Sequence, residues 1–251
     1  MCGDATNKDD VDRLVKSEHV RLALTDPPYG ISVVGKDGKI GGGGRTHFEN
    51  KPGKFCKSST YAQVIGDEST DIASRNYALV REQSDNQIIF GGNYFSDFLP
   101  PSRCWLIWDK QNSGNFADAE LAWTSFDKVV KIYRYMWNGL CRKGSRKIEL
   151  PRRVHPTQKP VGLFMKILGD YSNFKDTILD CFGGSGTTLI AADQTGRKCL
   201  MMELSEHYVD IIIERWQELT MQYVVLEAMG EKYDTLKRYA RQQTKRPRVG
   251  P

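Results

Sequence analysis

The chain has 251 residues, of which 39% are hydrophobic and 27% are charged, and this balance excludes a chain that is disordered throughout. Its formal net charge of +5 permits a polyanionic partner without identifying one. No apolar run approaches the roughly 20 residues of a membrane helix, and the N-terminus lacks a signal-peptide pattern. The six cysteines show neither a C-x-x-C pair nor zinc spacing, so we expect reduced thiols, no metal and a cytoplasmic protein.

Hydrophobic periodicity predicts helices and strands that alternate along the chain. The predicted helices cover Asp9–Ser17, Asp71–Gln83, Leu163–Leu168, Leu189–Gln194 and His207–Met221. The predicted strands cover Val20–Thr25, Gln87–Phe90, Cys104–Trp108, Glu120–Ser125, Lys128–Trp137, Thr177–Cys181 and Lys198–Met202. Because strands alternate with helices, we expect a largely parallel α/β sheet with helices on both faces, in a single domain over residues 1–251.

Three segments have no clear period. Residues 35–60 contain four consecutive glycines and several lysines, which predicts a long mobile loop. Residues 140–154 are basic and short. Residues 231–251 form a basic C-terminal tail, a composition that fits a solvated tail and a nucleic-acid contact equally well.

The tetrapeptide Asp26–Tyr29 (Asp-Pro-Pro-Tyr) follows the predicted strand Val20–Thr25. Its two prolines fix φ and remove two N–H donors, so the nearby carbonyl groups stay free to accept hydrogen bonds. Asp26 adds a carboxylate, and Tyr29 adds a flat, partly polar ring. Such a set suits a planar group that carries an NH₂, although an ordinary strand-to-loop turn has the same composition.

A second signal follows the predicted strand Thr177–Cys181. Residues 183–186 form a glycine-rich turn before a helix, and Glu203 lies 20 positions after Gly183, at the end of the next strand. A carboxylate at that place accepts both hydroxyls of a ribose, and Asp180 could meet an ammonium group. The turn lacks the G-x-G-x-x-G spacing and a phosphate-loop lysine. The pattern therefore favours a nucleoside with a small charged substituent, such as S-adenosylmethionine.

These motifs together resemble those of the amino-group DNA methyltransferases, which act on adenine N6 or cytosine N4. Asp26–Tyr29 matches their catalytic D-P-P-Y tetrapeptide, and residues 180–188 are similar to their cofactor motif D-P-F-x-G-S-G-T-T, with Cys181 in place of proline. His155–Pro160 matches the segment that covers the methionine part of the cofactor, and Gly3–Thr6 looks like the G-D segment near its adenine. The catalytic segment precedes the cofactor segment, which is the permuted order of the β group.

The resemblance implies a Rossmann-like S-adenosylmethionine-dependent methyltransferase fold with a mostly parallel seven-stranded sheet. It implies methyl transfer from S-adenosylmethionine to the N6 amine of an adenine flipped out of double-stranded DNA. The implied catalytic residues are Asp26, Pro27, Pro28 and Tyr29. The implied cofactor-binding residues are Asp4, Ala5, Thr6, His155, Thr157, Gln158, Lys159, Asp180, Phe182, Gly183, Gly184, Ser185, Gly186, Thr187, Thr188 and Glu203.

The same resemblance implies a division of labour at the tetrapeptide. Tyr29 stacks on the base, while the Asp26 carboxylate and the Pro27 carbonyl accept hydrogen bonds from its amino group. Direct in-line transfer follows, without a covalent enzyme intermediate. None of the six cysteines follows a proline, as the nucleophile of C5-methyltransferases does, so C5 chemistry is disfavoured.

The substrate stays open at this point. An aspartate at the first position of the tetrapeptide is more typical of adenine enzymes, so we prefer adenine, with cytosine N4 as the alternative. Other readings are a methyltransferase that acts on RNA or on protein glutamine, a catalytically silent nucleic-acid-binding module with this fold, and a nicotinamide dehydrogenase. The intact motifs argue against the silent module, and the glycine turn argues against the dehydrogenase.

Few residues of the chain are available for a target-recognition domain. Many relatives carry a recognition domain where this chain has only the short segment 140–154, so specificity could also come from a partner or from the loop 35–60. The candidate phosphate contacts are Lys36, Lys39, Arg45, Lys51, Lys54, Arg142, Lys143, Arg146, Lys147, Arg152 and Arg153. The resemblance implies a bacterial or phage-type restriction–modification context, implies no membrane partner and leaves a homodimer open.

Overall fold

The structure is a computed structural model that describes residues 1–35, 63–111, 117–138, 141–142, 155 and 157–244. The predicted loop 35–60 lies outside this part apart from its first residue, as does the predicted recognition segment 140–154 apart from residues 141–142. Residues 245–251 of the predicted tail also lie outside it.

Within the described residues, seven strands form the central sheet. Their bounds are β1 Val20–Thr25, β2 Ser84–Phe90, β3 Trp105–Asp109, β4 Ala119–Thr124, β5 Lys131–Arg134, β8 Thr177–Asp180 and β9 Lys198–Met201. Short hairpins pair β6 Trp137–Asn138 with β7 Cys141–Arg142, and β10 Val225–Leu226 with β11 Glu231–Lys232. The helices are α1 Lys8–Val15, α2 Asp71–Gln83, α3 Val161–Tyr171, α4 Thr187–Gln194, α5 Glu206–Thr220 and α6 Tyr233–Thr244, with a 3₁₀ turn at Gly92–Tyr94.

The order of strands in the sheet is β5-β3-β4-β2-β1-β8-β9. All neighbouring pairs are parallel except the two that involve β4, which runs antiparallel to β2 and to β3. The predicted mostly parallel seven-stranded sheet is thus confirmed, whereas the reversed strand was not foreseen. The sheet order changes direction between β1 and β8, and ligands of such sheets bind in the crevice at the carboxyl ends of strands at that point.

The central strand β1 is buried on both faces of the sheet. Leu22 and Leu24 belong to the same core cluster as Phe164 of α3, whereas Ala23 belongs to a cluster with Val11 of α1. Phe90 of β2 stacks on Phe164 at 5.2 Å between ring centroids. Helices therefore cover both faces of the sheet, as predicted. The loops after β1 and β8 begin at the ends of two buried strands.

The structure changes two of the predicted elements. The strand predicted over Lys128–Trp137 is shorter and is divided into β5 and β6, and Val129 before it is 81% exposed. Part of the predicted basic tail is the helix α6, in which Lys237 pairs with Glu214 and Asp210 of α5. The acidic partners on α5 explain why this basic stretch packs on the domain. No helix in the described part of the chain is long and apolar enough to cross a membrane.

Candidate active site

A cavity of about 940 Å³ opens at the carboxyl ends of β1 and β8. Its walls are formed by Asp26–Tyr29 after β1, by the turn 182–185 after β8, and by residues His155 and Thr157–Lys159 before α3. Glu203, after β9, lines it together with residues 4–5. Of the predicted site residues, Thr6 and Gly186 lie outside the lining, and all the others contribute to it. The sheet thus brings segments that are far apart in the sequence to one crevice.

The Asp26 carboxylate carries two hydrogen bonds from side chains. The Tyr29 hydroxyl donates to Oδ1 at 2.6 Å, and the Lys159 ammonium donates to Oδ2 at 2.6 Å. Burial raises the pKa of the Asp26 carboxyl, while Lys159 opposes that rise. Each carboxylate oxygen has a second lone pair, so the group keeps the capacity to accept a further hydrogen bond.

The Tyr29 ring is fixed by its aromatic neighbours. It stacks on Tyr94 with 5.2 Å between centroids and 19° between planes, and it meets Phe95 edge-on. Gly91, at φ +73°, lies against the same ring, and a Cβ there would come within 2.3 Å of it. Only glycine therefore allows the end of β2 to approach the ring so closely.

Asp67 holds the turn that follows the tetrapeptide. Its buried carboxylate accepts the backbone N–H groups of Gly30 at 2.9 Å and Ile31 at 3.3 Å on Oδ1, and of Val33 at 2.6 Å on Oδ2. Three backbone donors that would otherwise lack a partner inside the protein are thereby satisfied. Asp67 could not be predicted from the sequence, because an acid in an irregular segment has no local signature.

The glycine-rich turn and Glu203 are joined directly. The Glu203 carboxylate accepts the N–H of Gly184 at 2.7 Å on Oε2 and the N–H of Ser205 at 2.9 Å on Oε1. The pKa of Glu203 is raised, chiefly by burial. Gly186 takes the left-handed conformation at φ +77° immediately before α4, which ends the turn and starts the helix.

The N-terminal segment lies beside Glu203. The N–H of Gly3 donates to the Glu203 carbonyl at 3.1 Å, which places residues 4–6 at the same end of the cavity. Asp4 Oδ1 accepts both the N–H and the hydroxyl of Thr6 at 2.8 Å. Asn76, buried on α2, donates to the Ala5 carbonyl at 2.9 Å, and this anchor was also missed from the sequence.

Asp180 lies buried between the tetrapeptide and the glycine-rich turn. Its Oδ1 accepts the Thr25 hydroxyl at 3.2 Å and the N–H of Phe182 at 3.0 Å. Burial raises the pKa of Asp180 to about 7, although Thr188 and the Phe182 amide favour the charged form. A cation beside Asp180 would lower this pKa, because an opposite charge favours the ionised carboxylate.

Residues 155 and 157–159 lie across the turn. The Thr187 hydroxyl donates to the Lys159 carbonyl at 3.0 Å, which fastens the segment to the first turn of α4. His155 meets the Tyr208 ring edge-on at 4.5 Å, and a Cβ on Gly184 would lie 3.7 Å from the imidazole. Gln158 is buried. The imidazole and the glycine turn therefore face each other across a narrow part of the crevice.

The remaining predicted residues frame the turn. The Ser185 hydroxyl lies 3.2 Å from the hydroxyl of Thr187, and the guanidinium of buried Arg215 donates to the Ser185 carbonyl at 2.7 Å. A Cβ on Gly183 would lie 2.9 Å from Ile212 of α5, so this glycine allows α5 to pack closely. Among the described residues, no group of histidine, cysteine, aspartate or glutamate side chains could hold a metal ion.

Lys159 has a contact that the sequence analysis did not anticipate. Lys159, which the resemblance implies as a cofactor-binding residue, lines the cavity, and its ammonium pairs with Asp26 and with Glu120 of β4 at 3.1 Å. Lys110 pairs with the other oxygen of Glu120 at 2.6 Å. Glu120 and Lys110 could not be predicted from the sequence, because only the folding of the sheet brings them next to Lys159.

Comparison with known proteins places the chain in a family. The profile of the N6/N4 family described as DNA methylase matches residues 109–214, a span that includes the glycine-rich turn but not the tetrapeptide. The type II methyltransferase M1.MboII of Moraxella bovis is 34% identical over 78% of this chain and 88% of its own length. The type II methyltransferase M.HinfI of Haemophilus influenzae is 35% identical over 52% of this chain, which spans only 36% of that relative.

Among solved structures, the cytosine-N4-specific PvuII DNA methyltransferase superposes with a TM-score of 0.55 over 98% of this chain and 92% of its own. The two sequences are 13% identical, so this likeness concerns the fold alone. The extent of the match to M1.MboII shows that the chain belongs to the N6/N4 family of DNA amino-methyltransferases.

Replacing Asp67 by alanine tests the turn after the tetrapeptide. The substitution leaves the amides of residues 30, 31 and 33 without their acceptor, and we expect the free energy of unfolding to fall by about 2–4 kcal/mol. Urea denaturation measures this loss, and Asp97→Ala on the exposed surface is the control. A loss equal to that of the control contradicts the assigned role.

Proposed function

We propose that the chain is an S-adenosylmethionine-dependent DNA methyltransferase that acts on an exocyclic amino group, with adenine N6 as the preferred target. The observation that carries the proposal is one cavity lined both by the acceptor Asp26 and by the glycine-rich turn with Glu203. Family membership supports the reaction class. Because the chain spans only part of M.HinfI, the activity and partners of the whole protein belong to the proposal as well.

The cavity residues fit S-adenosylmethionine. A volume of about 940 Å³ is at the upper end of ligand pockets, enough for a nucleoside cofactor beside a base. Glu203 would accept the ribose hydroxyls, residues 4–6 would border the adenine, and Asp180 would meet the ammonium group. His155, Thr157 and Gln158 would cover the methionine part, opposite Gly184. When bound, the cofactor supplies an electrophilic methyl group on a sulfonium sulfur.

Asp26 and the Pro27 carbonyl would accept hydrogen bonds from the target amine. Those bonds draw the nitrogen toward sp³ geometry and direct its lone pair at the methyl group, so that orientation and charge stabilisation lower the barrier. Tyr29 would supply the flat surface for the flipped base. Its hydrogen bond to Asp26 Oδ1 at 2.6 Å supports this, because the ring and the carboxylate are held as one unit.

The choice of base rests on Asp26. An aspartate at that position favours adenine, and the N4 amine of cytosine has a similar geometry, so cytosine N4 is the second candidate. The fold of PvuII methyltransferase, described as cytosine-N4-specific, is compatible with this second candidate. The type II methyltransferase names of the relatives support a restriction–modification setting. The proposal also includes double-stranded DNA as the partner and a cytoplasmic location.

Nucleoside analysis tests the proposal. The protein is incubated with unmethylated genomic DNA and labelled S-adenosylmethionine, and the DNA is digested to nucleosides. We expect N6-methyladenine. Label in N4-methylcytosine would move the assignment to the second candidate, and label in neither nucleoside would contradict DNA amino-methylation.

Asp26→Ala removes the carboxylate that accepts the amine, and we expect the rate of methyl transfer to fall at least about 100-fold. Cofactor affinity should stay unchanged, because Asp26 lies on the base side of the cavity. Calorimetry with S-adenosylhomocysteine and a single-turnover assay measure the two quantities, and Asp193→Ala on the exposed end of α4 is the control. Transfer at a near wild-type rate would show that the role of Asp26 is wrong.

Glu203→Ala should have the opposite profile. Loss of the ribose acceptor should weaken S-adenosylhomocysteine binding by about 10- to 100-fold, since hydrogen bonds to a charged group contribute about 1.5–3 kcal/mol. Calorimetry measures the affinity, with Glu206→Ala on the exposed first turn of α5 as the control. Unchanged affinity in Glu203→Ala would remove this residue from the ribose site.

A further inference from the structure

Four side chains of alternating charge form a row, and all four residues line the cavity. The Asp26 carboxylate contacts Lys159 at 2.6 Å, Lys159 contacts Glu120 at 3.1 Å, and Glu120 contacts Lys110 at 2.6 Å. The Lys159 ammonium also lies 3.2 Å from the Tyr29 hydroxyl. Asp26 follows β1, Lys159 precedes α3, Glu120 is in β4 and Lys110 follows β3. The row therefore forms only when these four segments are folded together.

The row is buried. The exposed fractions of the side chains are 6% for Lys159, 17% for Asp26, 22% for Glu120 and 16% for Lys110. Removing charges from water costs several kcal/mol per ion, and well-packed hydrophobic residues often replace a buried ion pair without loss of stability. A contribution to stability therefore does not explain why charged residues occupy positions 120 and 159. A functional role beside Asp26 does explain it.

We propose that Lys159 and Glu120 are positioning residues for methyl transfer, in which Lys159 holds the Asp26 carboxylate ionised and oriented, and Glu120 shares the ammonium so that Asp26 stays basic. The inference rests on the proposed function and adds two residues to its machinery. Lys159 takes one oxygen of Asp26 and Tyr29 takes the other, so the plane of the carboxylate is fixed. The remaining lone pairs then point to a defined place in the cavity.

The chemistry makes Asp26 both an acceptor and a base. The target nitrogen forms a bond to the methyl carbon as the sulfur–methyl bond breaks and its electron pair stays on sulfur. The nitrogen then carries a positive charge and loses one proton, which passes to Asp26. An ammonium held by Asp26 alone would make the carboxylate a weaker base, because an opposite charge favours the ionised form. Glu120 moderates that effect by competing for the same ammonium.

The ionisable groups that face Asp26 are Lys159, Glu120, Tyr29 and Asp180. Their charges give the expected directions. Lys159 favours the ionised Asp26, so Lys159→Met should raise the pKa of Asp26. Glu120 disfavours it, so Glu120→Gln should lower that pKa. If transfer needs ionised Asp26, the acidic limb of the pH–rate profile moves up in the first variant and down in the second.

The test measures the ionisation of Asp26 directly by NMR, as well as through the pH dependence of activity. The full chain is labelled with ¹³C at aspartate carboxyls, the Asp26 signal is assigned by its loss in Asp26→Asn, and it is titrated by NMR without cofactor or DNA. The matched controls are Glu18→Gln and Lys198→Met, which break a surface ion pair of 2.6 Å. Lys159→Arg keeps the charge and should restore the wild-type titration.

We expect opposite shifts of at least about one pH unit in Glu120→Gln and Lys159→Met, in both the NMR titration and the acidic limb of kcat. Cofactor affinity in Glu120→Gln should change by less than about threefold. Shifts in the same direction, or none, overturn the inference. If Lys159→Met does not fold, Glu120→Gln alone decides, because an unmoved Asp26 titration in that variant is sufficient to reject the proposal.

The two proposals fail in different ways. A wild-type protein that methylates no DNA contradicts the proposed function, while the NMR titration still reports whether Lys159 and Glu120 control Asp26. If the wild-type protein is active and the Asp26 titration is unchanged in both variants, only the inference is contradicted.

Discussion

The site depends on the parallel pairing of β1 with β8. Ala23 lies opposite Leu179 in this register, and both residues are fully buried. Packing in the core therefore fixes the register of the two strands. Because the strands are parallel, their carboxyl ends lie at the same edge, where the sheet order changes direction. The tetrapeptide leaves one strand and the glycine-rich turn leaves the other. A distance of about 150 residues in sequence is thereby reduced to opposite walls of one cavity.

Three carboxylates of the site, those of Asp67, Glu203 and Asp26, are held in two ways. Asp67 and Glu203 accept backbone N–H groups, so their positions follow from the course of the chain. Asp26 is held by two side chains, Tyr29 and Lys159, each on one carboxylate oxygen. Backbone N–H groups only orient a carboxylate, whereas the Lys159 ammonium orients Asp26 and also favours its ionised form. This contrast supports the proposed role of Lys159 as a positioning residue for Asp26.

Local patterns allowed much of this to be predicted from the sequence. The tetrapeptide, the glycine-rich turn and Glu203 each follow a strand at a fixed spacing, and spacing along one chain is visible without a structure. Glu120 and Asn76 could not be found in this way, because their partners lie on other elements and a single acid or amide in a strand or helix has no signature. The reversed strand β4 was missed for a related reason, since a short apolar run does not reveal its direction.

The structure of the chain bound to S-adenosylhomocysteine tests the central claim most directly, because the claim is that donor and acceptor share one cavity. The account predicts that the ribose contacts Glu203, that the adenine borders residues 4–6, and that the sulfur faces the Asp26 carboxylate with room for a methyl group and an amine between them. A ligand bound outside this cavity, or one whose sulfur points away from Asp26, would contradict it.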